Sequence, residues 1–270
     1  MGAWGAGLYA EDFACDLKQT VATLCRLPRS GRELVQLLTE LEPAASNSHD
    51  TDHTTFWLVV ADQLHRRGVD SSATERALAI IDDGSNLDAM QRLGMSDRDV
   101  RARASKLAML RTRLSEPPSR KPRRTLTSPQ PLVVQPGNVY AYPVDVRGRP
   151  YNAYFTKPER AGFVSAGWGC CIVLTAGHAF EYLAWYQAAP CQAPWRARPT
   201  LQQAVDRTAP DRRGVGTLSR AHVRRMGFEL LGTVDPPGVD LPTQRQIISV
   251  VASDIGLVNV LSRAASSDFS

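Results

Sequence analysis

The stretch SEPPSRKPRRTLTSPQP, residues 115–131, decides how the rest of the chain is read. Prolines and basic residues fill it, and no apolar residue recurs at a helical or strand period. Proline fixes φ and removes a backbone donor, so such a segment neither continues a helix nor enters a sheet interior. It predicts a basic, proline-rich linker between a unit over residues 1–114 and a second over 132–270. The length of 270 residues agrees, since single cores stop growing near ~250–300 residues.

Before the linker the apolar residues repeat at three and four. Phe13, Leu17, Val21 and Leu24 mark a first helix that stops before Pro28. Ser30 and Glu33 have the spacing of a capping box, and Leu34, Leu37, Leu38 and Leu41 follow as the stripe of a second. Asp52 is placed to cap a third through Phe56, Trp57, Val60, Ala61 and Leu64. A fourth spans Ala73 to Asp83, with Gly84 as its left-handed stop, and a fifth runs from Ser96 to Leu114.

After Pro136-Gly137 the period shortens. VYAYP (139–143), YNAYF (151–155), CCIVLT (170–175), FELLGTV and IISVVAS (247–253) read as strands, with a short helix AHVRRM capped by Ser219. The fold class is therefore α+β: a helical N-terminal bundle, a linker, and a smaller β-containing α+β domain.

The net charge of +5 is unevenly spread. Residues 1–100 carry −7, residues 101–131 carry +8 and residues 132–270 carry +4. The basic segment coincides with a helix end and the linker, which reads first as a solvated connector. No run approaches the ~20 apolar residues of a bilayer crossing, and no export signal opens the chain. The five cysteines are odd in number and none sits in a C-x-x-C pair, so they are expected as reduced thiols in a cytoplasmic protein with no membrane partner.

Candidate chemistry is sparse. His49, Asp50, Asp52 and His53 place four ligand-type side chains within five residues, but their neighbours favour a turn and helix cap over a metal. Cys170 or Cys171 with His178 and Glu181 offers the parts of a thiol nucleophile. GCCIVLT reads instead as a buried strand, where cysteine is a small hydrophobe, and His178 after Gly177 as a turn residue. Asp82 and Asp83 place acid at a helix C-terminus, against the dipole, a broken local rule of the kind that can mark a binding surface. No phosphate-binding, dinucleotide, nucleophile-elbow or zinc-protease motif occurs, and nothing calls for a cofactor or a metal.

Two resemblances add to this reading. MGAWGAGLYAEDFACDL, DHTTFWLVVADQ and ALAIIDDGS resemble an uncharacterised bacterial family that opens Met-Gly-x-Trp-Gly. Trp4 between its glycines is read there as a plug that buries the N-terminus, with an exposed anchor as the alternative. GNVYAYPVD, WGCCIVL, FEYLAWY and HVRRMGFELLG resemble the immunity protein 26 family of polymorphic toxin systems, with Asn138 where that family has an acidic residue. That resemblance implies a non-enzymatic toxin-binding protein with no catalytic residue. Its recognition surface would be acidic, drawn from Asp12, Asp50, Asp52, Asp82 and Asp83 and suited to a basic toxin. The rival readings are a nucleic-acid-associated regulator using Arg111, Arg113, Arg120, Lys121, Arg123 and Arg124 on phosphates, and an enzyme with the Cys/His site.

Overall fold

A computed structural model of the chain describes residues 5–118, 121, 123–152 and 156–263. The fold is α+β and divides into two compact units, Met1–Thr127 and Ser128–Ser270, with the break inside the predicted linker. Trp4 and Arg120 lie outside the described residues.

The first unit is helical. α1 (Asp12–Leu24) buries Ala14, Leu17, Val21 and Leu24, and α2 (Gly31–Leu41) begins with the Ser30–Glu33 capping box that the sequence spells. A 3-10 turn at Pro43–Ala45 leads on to α3 (His53–Arg66), which is buried continuously from Thr55 to His65. A helix apolar nearly all round belongs at the centre of a bundle, and α3 packs against α1 and against α4 (Ala73–Asp82), α5 (Ser85–Arg92) and α6 (Asp97–Ser115). Gly84 has φ +75°, a left-handed stop as predicted, and the chain re-enters a helix at once in α5, which the sequence reading did not anticipate.

Asp52 stands at the N-cap of α3 but makes no side-chain cap. Its backbone is in the right-handed helical region (φ −90°, ψ −6°) and not extended, so the carboxylate is not turned back onto the helix. Its N–H instead donates to Asp50 Oδ1 at 2.9 Å.

The predicted linker is tethered at both ends. Leu126 N–H donates to Arg26 O at 2.7 Å and the Arg123 guanidinium donates to Arg29 O, within the first unit. In the second, Gln130 N–H donates to Tyr182 O at 2.9 Å and Gln130 Oε1 accepts from Ala184 N–H at 3.0 Å. An extended, proline-rich backbone cannot pair with itself, and its polar groups find partners on the elements beside it.

The second unit is a five-stranded antiparallel sheet of β1 (Asn138–Val144), β2 (Gly167–Ala179), β3 (Leu183–Pro190), β4 (Gly214–Gly216) and β5 (Glu229–Thr233), ordered β4-β3-β2-β1-β5. Among the described residues five α-helices accompany it: α7 (Lys157–Gly162), α8 (Leu201–Asp206), α9 (Arg220–Arg225), α10 (Gln244–Ala252) and α11 (Leu257–Arg263). Strand alternation sends Tyr140, Tyr142, Val144, Cys171 and Val173 to one face, where Met226 and the α11 residues Leu257, Val258 and Leu261 cover them. Val139, Ala141, Cys170, Ile172 and Leu174 face the other way, against Trp195 and Ala204 of α8. Phe228 stacks on Tyr140 and Tyr142, each at 5.4 Å between ring centroids.

Three expectations are corrected here. IISVVAS is the body of α10, because Thr243 and Gln246 form a capping box and Ile247, Ile248 and Val251 bury one helical face. Tyr151 and Asn152 belong to no strand, and the remainder of YNAYF lies outside the described residues. His178 is inside β2, not at a turn. The turn comes later, at Phe180 (φ +49°) and Glu181 (φ +69°), closed by Tyr182 N–H to Ala179 O at 3.1 Å. Positive φ at both central residues is the I′ geometry that matches strand twist. Among the described residues no helix is long and apolar enough to cross a membrane.

Candidate functional site

Of the five acids singled out from the sequence, Asp12, Asp50 and Asp52 stand at two helix starts that meet, and Asp82 and Asp83 close α4. Asp12 opens α1, and Asp50 and Asp52 lead into α3. Thr55 Oγ1 donates to Glu11 Oε1 at 3.1 Å and ties those two helix starts together. Asn86 Nδ2 donates to Thr54 Oγ1 at 2.9 Å, bringing the start of α5 to the start of α3, while Asp82 reaches Arg111 in the C-terminal half of α6.

Arg103 of α6 locks these helix starts from inside. It is 1% exposed, and its Nε donates to Asn86 Oδ1 at 2.8 Å, its Nη1 to Gly7 O at 3.1 Å and its Nη2 to Glu11 Oε1 at 3.4 Å. Every buried polar group in the set thereby finds a partner.

The acids differ in what occupies them. Asp82 accepts from Arg111 Nε at 2.6 Å, and that hydrogen bond holds its carboxyl below the usual range. Asp83 Oδ1 accepts from Ser85 N–H at 2.8 Å and so serves the start of α5. Asp52 goes the opposite way. Burial first, then the charges of Asp50 and Glu11, push its carboxyl above the usual range. Like charge therefore accumulates around Asp50 and Asp52, while Asp82 is paired with its neighbour Arg111.

Half of the basic residues proposed for phosphate contact are engaged by acceptors within the protein. Arg111 is paired with Asp82, Arg113 with the buried Asp62, and Arg123 with the Arg29 carbonyl. Lys121 and Arg124 are exposed. Three of the six thus spend their donors on protein acceptors, which breaks up the comb of cations that a phosphate backbone requires.

The Cys/His alternative is dispersed by the sheet. Cys170 and Cys171 are fully buried on opposite faces of β2. The Cys170 thiol is pushed far up by its hydrogen bond with Cys191 and by burial, and the Cys171 thiol by burial and Cys191. Nucleophilic thiolates need the opposite environment. His178 Nε2 lies 2.7 Å from Gln130 O, and Glu181 sits in the hairpin turn. His49 N–H donates to Asn47 Oδ1 at 3.1 Å, and His53 Nδ1 lies 2.7 Å from Ala44 O. Among the described residues no group of three or more His, Cys, Asp or Glu side chains could hold a metal ion.

The second unit also has a broad cleft of about 1110 Å³, lined by Arg212, Arg213, Arg245 and Arg263 beside the buried Gln187. The sequence reading named none of these, and it missed Asn86 and Arg103 beside the acids. Arginine is rarely interior unless paired, so nothing in its spacing marks Arg103 as buried. The chain matches no family model, no curated protein and no solved structure.

Proposed function

We propose that the chain is a non-enzymatic, cytoplasmic binding protein, an immunity-type antagonist that engages a basic protein through the acidic helix starts of its N-terminal unit. A bacterial toxin is the partner that the C-terminal resemblance implies. The observation that carries the reading is the gathering of Asp50 and Asp52 with Glu11 where two helix starts meet, Asp52 being held above the usual carboxylate range by burial and its acidic neighbours. Glu11 is matched by Arg103, but the like charge of Asp50 and Asp52 costs folding energy and is relieved when a cationic surface docks on it. The pairing of Arg111, Arg113 and Arg123 with protein acceptors and the burial of Cys170 and Cys171 weigh against the nucleic-acid and thiol-enzyme readings.

The test is capture of partners from the source cell lysate at low salt, followed by association kinetics of Asp12→Lys, Asp50→Lys and Asp52→Lys variants. Charge steering predicts slower association and weaker salt dependence with unchanged folding. Copurified nucleic acid in place of a protein overturns the reading. So does binding that survives reversal of these acids but is lost on Arg245→Glu and Arg263→Glu.

A further inference from the structure

Asp62 is the one carboxylate within the apolar centre of α3 and is 0% exposed. A buried carboxylate persists only when surrounded by donors, and this one has many. Tyr9 Oη donates to it at 2.5 Å, Arg66 Nε reaches both its oxygens at 3.0 Å, Gln63 Nε2 lies at 3.3 Å, and the Arg113 guanidinium also donates. Burial and the bond to Asp62 push the Tyr9 hydroxyl well up, so it remains the proton donor of the pair.

Beside this cluster is a cavity of about 520 Å³, walled by residues 6–10, by Asp62 and Arg66 of α3, and by α6. That size falls within the ~300–1,000 Å³ of small-molecule sites. Its cations are Arg66, Arg103, Lys106 and Arg113. Glu11 matches Arg103, and Asp62 is shared between Arg66 and Arg113, which leaves two positive charges in excess. Arg113 Nε is buried with no acceptor among the described residues. The rest of the wall is apolar: Leu8, Leu107, Leu110 and Met109, a residue that is 73% exposed.

We propose that this cavity binds a small amphiphilic anion, a carboxylate or phosphate monoester on a short apolar chain. Arg66, Lys106 and Arg113 take the headgroup, and Leu8, Leu107, Met109 and Leu110 take the tail. Asp62 is then a positioning residue, holding two guanidinium groups in a fixed orientation before the ligand arrives. Guanidinium forks suit both oxyanions, and their pre-organisation reduces what is lost on binding. Structural bracing alone accounts poorly for the arrangement, since buried ion pairs add little stability over apolar packing. It also leaves the excess charge and the apolar wall without a role.

Titration calorimetry on the full chain, with decanoate, decyl phosphate, decanol and acetate below their micellar concentrations, tests this. At least one of the two long-chain anions should bind saturably at one per chain, and which one binds identifies the headgroup. Decanol and acetate should bind at least about tenfold more weakly, the scale of one charge-assisted contact. Lys106→Met, on an exposed residue outside the Asp62 cluster, should weaken the anion by several-fold and leave decanol unchanged. Met109→Asp should weaken it through the tail. Arg113→Met should have the largest effect, and its folding is checked separately by circular dichroism. Equal binding of decanol, no saturable binding of either anion by the folded protein, or full affinity in Lys106→Met and Met109→Asp together would overturn the proposal.

Discussion

Replacing Arg103 by Met should destabilise the helical unit by about 4 kcal/mol. The side chain is 1% exposed and bonds to Asn86, Gly7 and Glu11. Methionine keeps much of the apolar stem but supplies no donor. Asn86 Oδ1, on a residue that is 0% exposed, then loses its guanidinium donor, as does the Gly7 carbonyl. The Glu11 carboxylate, 10% exposed, keeps Thr55 but loses its counter-charge. An orphaned buried acceptor costs ~1–3 kcal/mol, and breaking a buried pair from one side costs ~3–5 kcal/mol in all. Adding Glu11→Leu to Arg103→Met should recover part of the loss, because no ion is then left unpaired. Urea-dependent hydrogen exchange of the α3 and α6 amides reads this unit without interference from the other. A loss under about 1 kcal/mol for the single variant, against the ~3–5 kcal/mol of a broken buried pair, would refute the reasoning. A double variant no better than the single would refute it too.

Three further outcomes are expected. Cys171→Ser should cost about 1–3 kcal/mol in thermal or urea unfolding, because the site is 0% exposed and a hydroxyl there must find a partner that sulfur does not need. Folding raises the Asp52 carboxyl above its unfolded value, so its contribution to stability is present below about pH 4 and is lost as pH rises through the folded value. Asp52→Asn should therefore be the more stable form at neutral pH, and the difference in urea midpoint should shrink on acidification to about pH 3.5; a difference independent of pH contradicts the assignment. Limited trypsin should cut after the exposed Arg124 and leave two protected fragments, whereas protection of Arg124 with cleavage inside either unit would contradict the division at Thr127.

What the sequence revealed follows from how strongly each element depends on local pattern. α1, α2, α3, α4 and α6 were legible because each buries one regular stripe or carries a cap or stop of its own, such as Ser30–Glu33 or Gly84. α5 was hidden because only Asn86, Ala89 and Met90 are buried in it, too few to form a period. The run IISVVAS fits a buried strand as well as a buried helix by composition, and the deciding cue was the Thr243–Gln246 box just ahead of it. The β2–β3 hairpin escaped notice because Phe180 and Glu181 fill the turn where Asn-Gly would have announced it. At the candidate site the acids were readable one at a time, but which helix starts meet was not. It depends on Glu11–Thr55, Thr54–Asn86 and Arg103, contacts that reach across as many as 96 residues. Asp62 did leave a trace, a lone carboxylate within FWLVVADQL, and that kind of break in an apolar run merits a search for its donors.

The strand order also sets a kinetic constraint. β2 and β3 are joined by a tight turn and can zip as soon as they are made, whereas β5 reaches the β1 edge only by closing a loop, with Asn138 and Thr233 95 residues apart. Loop closure is entropically costly until the final contacts form, and non-local pairings of this kind slow folding. The outer edge of β1 thus stays unpaired for as long as β5 is undocked, displaying Val139, Tyr140 and Ala141 beside a row of open backbone groups. That interval is the chain's exposure to intermolecular strand pairing during synthesis, and a slower β5 would show itself first as lower yield of the protein, ahead of any change in the finished fold.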